Sequence, residues 1–401
     1  MRILHTSDWH LGRDFGSVSL HDDQKAFLDW LVGQVVELKV ELVVIAGDLF
    51  DRAYAPADAI RLFRDALHKL LDIKGVKVAA ITGNHDAHDR VANYGGLLDL
   101  SGLYLRGGYQ AIGEVLTLVF ADGPLDLVLL PFLDPQGAPD SLGADATADT
   151  ADTEQGADDA FARRVRRTHQ SVLEEAVAAA IPKLASPRSL AVAHAFVAGG
   201  AVSESERQLE VGGTGSVPAA VFAPFSYTAL GHLHRPQAIE GSPNIRYSGT
   251  PLAYSYSEEH RKSVTIIDMA ADGGCTYETV PVGVGRAVAT VTGRIDELLA
   301  MQPSDEVRAS FVRAIVTDPG VVLDAKQRLS AVFPNVVDVE MRPIGDDGKP
   351  IVPVGAAVDR KRLTPAEIAD QFWVDSAGGP PGVRQRQLLH TALFDAEKAG
   401  A

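Results

Sequence analysis

The first eighty residues alternate short apolar runs with longer amphipathic segments. Runs rich in β-branched and other apolar residues at 2–6, 42–46 and 76–81 have the length of strands. Residues 24–38 and 57–71 instead repeat apolar positions at helical spacing. Strands and helices in alternation predict a parallel sheet covered by helices, so the sequence predicts an α/β fold.

A polar cluster follows each of these three predicted strands. The clusters are Ser7-Asp8-Trp9-His10, Gly47-Asp48-Leu49-Phe50-Asp51 and Gly83-Asn84-His85-Asp86. In α/β sheets, sites are built on the loops beyond the carboxyl ends of the strands. We therefore expect the three clusters to meet at one edge of the sheet.

Two later apolar runs end in histidine. Residues 189–193 lead into His194, and residues 227–230 lead into Gly231-His232-Leu233-His234. In an extended chain, side chains two residues apart point to the same side, so both members of Asp8-x-His10 and of His232-x-His234 can reach one cavity. The predicted α/β domain therefore covers residues 1–281.

The rest of the chain is predicted to hold a smaller domain and a helical tail. Gly283 and Gly285 mark a boundary, and a second strand and helix alternation over residues 286–345 predicts a small α/β capping domain. Its predicted elements are strands 287–291, 310–316 and 336–341 and helices 295–301 and 322–333. Thr364-Pro365-Ala366-Glu367 then has the pattern of a capping box and opens the first of two apolar helices within residues 359–398.

Composition narrows the class of protein. A chain of 401 residues with 46% apolar side chains is long enough for two or three domains with their own cores. The single cysteine, Cys275, excludes an internal disulfide and a Cys-x-x-Cys pair. The N-terminus lacks the apolar stretch of a signal peptide, and no segment has the roughly 20 apolar residues of a membrane span. We therefore expect a cytoplasmic protein that does not enter the membrane.

The net charge of −16 counts against a broad surface for binding polyanions. Eight acidic residues, half of that net charge, lie within residues 134–159, a stretch without lysine or arginine. We predict that this stretch is a mobile acidic insertion. These acidic residues need not lie near the site. Four arginines follow the stretch within residues 163–167 and form a local basic feature.

The polar clusters supply carboxylate, imidazole and amide donors. This mixture suits divalent ions such as manganese, iron or zinc. Seven ligands, one of them shared, are the number needed for two ions that clamp a phosphate ester during hydrolysis. The seven candidate ligands are Asp8, His10, Asp48, Asn84, His194, His232 and His234.

A single histidine beside an apolar strand is more often a structural residue than a metal ligand. Five of the twelve histidines, however, directly follow predicted strands in turns that contain Gly or Asp. Packing alone does not readily produce that convergence. The other seven, including His5 and His260, are interpreted as solvated or structural, and Trp9 and Phe50 as packing beneath the site.

The clusters resemble, in content and order, the signature of the calcineurin-like metallophosphoesterases. Four further stretches are similar to the SbcD nuclease subunits of bacterial DNA-repair complexes: residues 1–13, Gly95-Gly96-Leu97-Leu98, His194-Ala195-Phe196 and Tyr247-Ser248-Gly249-Thr250-Pro251-Leu252. The resemblance is close over residues 1 to about 260 and extends to the capping domain and the C-terminal helices only in layout. It implies a layered phosphoesterase domain followed by the capping domain and the helical tail.

The resemblance also implies residue roles. Two manganese ions are implied, one held by Asp48 with Asp8, His10 and His234, the other by Asp48 with Asn84, His194 and His232. His85 is implied to protonate the leaving oxygen, and Asp51 to orient His85. Asp86 is a weaker candidate for the orienting role, and a structural role is equally consistent with its position.

The function implied by the resemblance is that of a manganese-dependent DNA nuclease subunit, acting on double-strand ends and hairpins in repair and recombination. The sequence has no G-x-x-x-x-G-K-[ST] motif for ATP, so the implied partner is an SbcC-like ATPase whose coiled coil binds the C-terminal helices. A homodimer within a heterotetramer, associated with the nucleoid, is implied as well. Two alternatives stay open: a phosphoesterase for small molecules or proteins, and a non-catalytic scaffold of a repair assembly.

Overall fold

The computed structural model describes residues 1–139, 142, 167–203, 206 and 215–344, with isolated positions between residues 370 and 389. Most of the predicted acidic insertion lies outside the described residues. So do Arg163, Arg164 and Arg166, the capping box at 364–367 and nearly all of the predicted tail. The predictions for these segments stay predictions.

The described residues form seventeen strands. In chain order they are β1 (Arg2–Thr6), β2 (Asp14–Phe15), β3 (Val18–Ser19), β4 (Leu42–Ala46), β5 (Lys77–Ile81), β6 (Leu103–Arg106), β7 (Leu116–Phe120), β8 (Gly123–Leu130), β9 (Ser189–His194), β10 (Tyr227–Gly231), β11 (Gln237–Ile239), β12 (Ser242–Tyr247), β13 (Ser263–Met269), β14 (Cys275–Pro281), β15 (Val288–Gly293), β16 (Phe311–Val316) and β17 (Val336–Met341).

Eight α-helices are also described. They are α1 (His21–Glu37), α2 (Ala57–Leu71), α3 (His88–Val91), α4 (Gly95–Leu98), α5 (His169–Ala180), α6 (Ile295–Ala300), α7 (Asp305–Ala309) and α8 (Ala325–Leu329). Short 3₁₀ turns lie at Asp99–Ser101, Pro135–Gly137, Ile181–Lys183 and Ala219–Phe222. In this described part of the chain, no helix is both long and apolar enough to cross a membrane.

Two six-stranded sheets form the large part of the molecule. Their strand orders are β14-β13-β1-β4-β5-β6 and β11-β12-β10-β9-β8-β7. Strands β1, β4, β5 and β6 run parallel in the first sheet, as do β8, β9, β10 and β12 in the second. Antiparallel strands extend both sheets at their edges. The prediction of an α/β fold is confirmed.

Along each central strand, alternate side chains point to opposite faces of the sheet and pack in different apolar clusters. In β4, Leu42 and Val44 share an apolar cluster with residues of β8, β9 and β10, whereas Val43 and Ile45 pack with residues of α1 and α2. The second sheet uses the same alternation, with α5 on its outer face. The strands are thus buried on both faces, which explains why they read in the sequence as unbroken apolar runs.

Most predicted elements of the first part of the chain have the expected limits, but helix α1 and two later elements differ. Helix α1 begins at His21, three residues early, where Asp22 and Asp23 favour a helix N-terminus. The helix predicted over 322–333 covers only Ala325–Leu329, because Asp324 has a positive φ of 53°. Helix α7, capped by Ser304, was not predicted.

The chain divides into two compact units. The first is Met1–Thr290 with Gln302–Arg313 and Ser330–Asp338, and the second is Val291–Met301 with Ala314–Leu329 and Val339–Ala401. A three-stranded sheet has the order β15-β16-β17. The predicted domain limits at residues 281, 286 and 345 stay a prediction.

Candidate metal centre

Backbone hydrogen bonds tie the loops after β1 and β4 together. Asp8 N donates to the carbonyl oxygen of Gly47, and His10 N donates to that of Asp48, both at 3.0 Å. Parallel strands end side by side, so the two loops run along each other at the sheet edge. The structure thereby brings the first two polar clusters together, as expected.

Asp86 joins the third cluster to the second. Its buried carboxylate accepts hydrogen bonds from the backbone N–H groups of Leu49 at 3.0 Å, Phe50 at 2.9 Å and Gly83 at 2.8 Å. These three donors engage both of its oxygens. Asp86 therefore fixes the loops after β4 and β5, which favours its structural role over the orienting role.

Glycines allow the loops of both sheets to approach closely. A Cβ on Gly83 would lie 2.1 Å from Asp48 Oδ1, and one on Gly47 would lie 2.3 Å from His194 Nδ1. A Cβ on Gly231 would lie 1.8 Å from the Ala46 carbonyl oxygen. No other residue type fits at these positions without moving a neighbour.

Backbone strain is concentrated at the candidate ligands. Six non-glycine residues in the described part of the chain have positive φ angles, and four of them are candidate ligands. These four are Asp8 at 53°, His10 at 43°, Asp48 at 47° and His232 at 107°. Left-handed conformations cost non-glycine residues free energy and cluster at functional sites, where the surrounding structure enforces them.

All seven candidate ligand side chains lie in one cluster. Asp48 Oδ2 is 3.6 Å from His10 Nε2 and 3.6 Å from His194 Nε2, so the Asp48 carboxylate lies between two groups of donors. Donor atoms of Asp8, His10 and His234 lie within 4.8 Å of one another on one side. On the other side, Asn84 Oδ1 is 3.0 Å from His194 Nε2 and 3.2 Å from His232 Nδ1.

Burial determines the charge states in this cluster. Burial and the neighbouring charge of Asp48 raise the pKa of Asp8 well above its usual value. Burial lowers the pKa of His194, and it lowers those of His10 and His232 well below the usual range. These three imidazoles are therefore neutral and cannot balance negative charge on the two aspartates.

The donor set fits divalent cations. Among the described residues, neither ring nitrogen of buried His10 has a hydrogen-bond partner. His194 Nδ1 donates to the Ala46 carbonyl oxygen at 2.9 Å, so its Nε2 lone pair faces Asn84 Oδ1. Two acceptors in contact repel each other, and a cation between them turns both into ligands. Carboxylate and neutral imidazole donors suit first-row divalent metals.

His85 and Asp51 flank this cluster. His85 Nδ1 donates to the backbone carbonyl oxygen of Asp51 at 2.8 Å, while the Asp51 carboxylate accepts from Arg13 at 2.9 Å. His85 N also donates to Asp48 Oδ1 at 2.9 Å. Asp51, implied by the resemblance to orient His85, thus contacts the His85 ring through its backbone carbonyl, while its carboxylate is engaged by Arg13.

Other predicted residues have packing roles. Trp9 is fully buried and Phe50 is 6% exposed, so both pack beneath the site as interpreted from the sequence. His5 is buried and its Nε2 lies 3.1 Å from the Leu230 carbonyl oxygen, which is a structural contact.

Sequence reasoning missed several residues that support the cluster. Ser7 Oγ donates to Asp8 Oδ2 at 2.5 Å and lies 2.8 Å from Ser248 Oγ. Glu258 Oε1 lies 3.2 Å from His234 Nδ1. Ser248 belongs to a stretch noted for its resemblance, but spacing alone links neither Ser248 nor Glu258 to a partner distant in sequence.

Comparison with known proteins identifies two family matches. Residues 1–165 match the family model of the calcineurin-like phosphoesterases, and residues 284–376 match one described as "Type 5 capsule protein repressor C-terminal domain". The SbcD subunit of the nuclease SbcCD from Bacillus subtilis (strain 168) is 36% identical over 291 residues. That alignment covers 71% of this chain and 71% of the Bacillus protein.

Two solved structures are similar at low identity. TT1561 of Thermus thermophilus has a TM-score of 0.33 and 12% identity, over 70% of this chain and 98% of that one. GAP50, the anchor in the inner membrane complex of Plasmodium, has a TM-score of 0.38 and 12% identity, over 87% and 98% of the two chains. Both TM-scores are below 0.5, and nothing further is concluded from them.

Replacing Gly83 by alanine tests the close packing of the loops. We expect Gly83→Ala to displace Asp48, because the new Cβ would lie 2.1 Å from its Oδ1, and to abolish Mn²⁺ binding in a calorimetric titration. Gly33→Ala is the control, since a Cβ at this α1 position meets nothing within 4 Å and should raise stability by up to about 1 kcal/mol. Unchanged Mn²⁺ binding by Gly83→Ala would contradict the geometry.

Proposed function

This chain belongs to the SbcD family of metal-dependent nuclease subunits, and from that premise we propose that it hydrolyses DNA phosphodiesters at double-strand ends and in hairpins. The proposed activities are those of a double-strand exonuclease and a single-strand endonuclease in repair and recombination. One observation carries the proposal: seven mostly buried donor groups from loops of both sheets converge on one cluster around Asp48. Two-metal phosphoester hydrolysis needs a donor set of this kind.

We propose that the resident ions are two manganese ions. Asp8, His10 and His234 would hold one ion, Asn84, His194 and His232 the other, and Asp48 both. Bound there, the ions lower the pKa of a water molecule and offset negative charge on the phosphate. The neutral state that burial imposes on the imidazoles supports this assignment, because a protonated imidazole cannot be a ligand.

We propose that His85 is the general acid. Its Nδ1 proton is engaged by the Asp51 carbonyl oxygen, which leaves Nε2 as the atom that carries a proton to the leaving oxygen. The ring packs edge-on against that of His10 with centroids 4.7 Å apart, and the residue is only half-buried. His85 thus lies at the rim of the cluster, where a phosphate ester can reach it.

The proposed partner is an SbcC-like ATPase with a coiled coil. The name of the Bacillus relative describes that protein as one subunit of a nuclease called SbcCD, which supports a complex for this chain too. The apolar helices expected within residues 359–398 supply the docking segment. With a net charge of −16, this chain is expected to bind DNA weakly alone, so much of the phosphate contact falls to the partner. A cytoplasmic location at the nucleoid follows from this proposal.

We propose a homodimer within this complex. A surface formed by Tyr94, Leu97 and Leu100, called here the 94–100 patch, exposes three large apolar side chains at 63%, 76% and 100%. A cluster of this kind on a water-soluble surface marks an interaction site.

A substrate comparison tests the function. The full chain, with and without its ATPase, is assayed on end-labelled duplex, hairpin DNA and bis(p-nitrophenyl) phosphate with Mn²⁺ or Mg²⁺. We expect Mn²⁺-dependent cleavage of all three. Dye release without DNA cleavage, even with the ATPase present, would favour a small-molecule phosphoesterase. No hydrolysis of any substrate would favour a scaffold.

Replacing His85 tests the general acid. We expect His85→Ala to retain both ions and to lose about 10²–10⁴-fold in cleavage rate, the typical contribution of a general acid. His88→Ala is the control, because His88 is exposed three residues later. Metal analysis accompanies the rate measurement. A His85→Ala protein with fewer ions than the parent would make His85 a ligand instead.

Charges in the 94–100 patch test the dimer. We expect the double variant Leu97→Glu/Leu100→Glu to be a monomer by light scattering, because burying two carboxylates in an apolar interface is costly. Val119→Glu serves as the control, since Val119 is a 73% exposed apolar residue on β7 that does not belong to the patch. A double variant with the parental mass would exclude this surface as the interface.

A further inference from the structure

We propose that Glu258 is a positioning residue that holds His234 in its ligating orientation, with Lys262, whose side chain is 11% exposed, as its counter-charge. This inference rests on the metal centre proposed above and adds to it a carboxylate outside the candidate ligands. Through His234, Glu258 fixes one ion, and not the other, in place.

The first observation is the contact itself. His234 Nδ1 donates to Glu258 Oε1 at 3.2 Å, and the two side chains are 2% and 0% exposed. A proton held on Nδ1 leaves the ligating lone pair on Nε2. The His234 ring packs against that of His10, with centroids 5.2 Å apart, so this lone pair belongs to the Asp8 and His10 half of the cluster. Glu258 therefore determines both the tautomer and the orientation of the ring.

The same segment also fixes the backbone of His234. The His234 carbonyl oxygen accepts from Thr250 N at 3.1 Å and lies 3.3 Å from His260 Nε2. Gly249 has a φ of +73°, and a Cβ there would lie 2.7 Å from that carbonyl oxygen. Residues 249–262, called here the His234 clamp, thus hold this one histidine at its side chain and at its main chain.

The second oxygen of Glu258 is engaged by other groups. Thr250 Oγ1 donates to Glu258 Oε2 at 3.0 Å, and Lys262 Nζ forms an ion pair with the same oxygen and donates to Thr250 Oγ1 at 2.8 Å. The ion pair with Lys262 and the hydrogen bond from His234 stabilise the ionised form of Glu258 in this buried position. Glu258 is therefore a carboxylate with both oxygens occupied.

A buried ion pair of this kind needs an explanation beyond stability. Removing both charges from water costs about as much as their attraction returns, and apolar residues of similar volume often stabilise a protein more. Contact with a ligating histidine supplies the explanation, because a carboxylate at the outer nitrogen strengthens the inner nitrogen as a metal donor.

The support is specific to one half of the metal centre. The outer nitrogen of His194 donates to the Ala46 carbonyl oxygen, which carries no charge. At His234, in contrast, the outer nitrogen donates to Glu258, a carboxylate that is not itself a candidate ligand. Loss of Glu258 should therefore weaken the ion held by Asp8, His10 and His234, and leave the ion at Asn84 nearly unaffected.

The test is a Mn²⁺ titration of the metal-free full chain, followed by calorimetry and by electron paramagnetic resonance. Glu258→Gln keeps the shape of the side chain and removes its charge. We expect the parent to bind two ions, and the variant to bind one with parental affinity and the other about 10–100-fold more weakly. The control is Glu259→Gln, an exposed neighbour that loses the same charge and should bind as the parent does.

A second variant separates positioning from folding. In Glu258→Gln/Lys262→Met both buried charges are gone, so the interior stays neutral and the melting temperature should stay within a few degrees of the parent. The loss of about 10–100-fold at one ion should persist in it. Parental affinity in the double variant, or equal weakening of both ions in either variant, would overturn the proposal. A parent that binds no Mn²⁺ would instead refute the proposed metal centre itself.

Discussion

Two carboxylates buried side by side are the constraint on which the site depends. Asp8 is fully buried, Asp48 is 2% exposed, and each lies among imidazoles that burial keeps neutral. Unpaired buried charges are too costly to persist, so such a cluster either takes up protons or binds cations. The facing lone pairs of His194 and Asn84 make the cation the better solution.

The fold provides the rigidity that this arrangement needs. Strands buried on both faces end at one edge of the sheets. The left-handed backbone conformations and the close approaches at glycines there persist because the surrounding sheets enforce them. Asp86 fixes two of the loops through three backbone donors. Glu258 and its neighbours hold His234 from the other side. Loops alone would place donors less accurately than loops anchored in this way.

How much the sequence could predict differs between the parts of the chain. The limits of β1, β4 and α2 are as predicted, because apolar period and length determine such elements locally. The seven candidate donors could be picked out because six lie in loops just after strands and His194 ends strand β9. The roles of Asp86 and Glu258, and the use of the Asp51 carbonyl rather than its carboxylate, depend on contacts between residues that spacing does not connect. The pairing of the second sheet depends on such contacts as well.

Anomalous X-ray diffraction at the manganese edge, from crystals grown with Mn²⁺, would locate the ions around Asp48 directly. We expect two peaks about 3.5–4 Å apart, the usual separation in two-metal sites, with the Asp48 carboxylate in contact with both. One peak should lie among Asp8, His10 and His234, and the other among Asn84, His194 and His232. A single peak, or two peaks of which Asp48 contacts only one, would contradict the account.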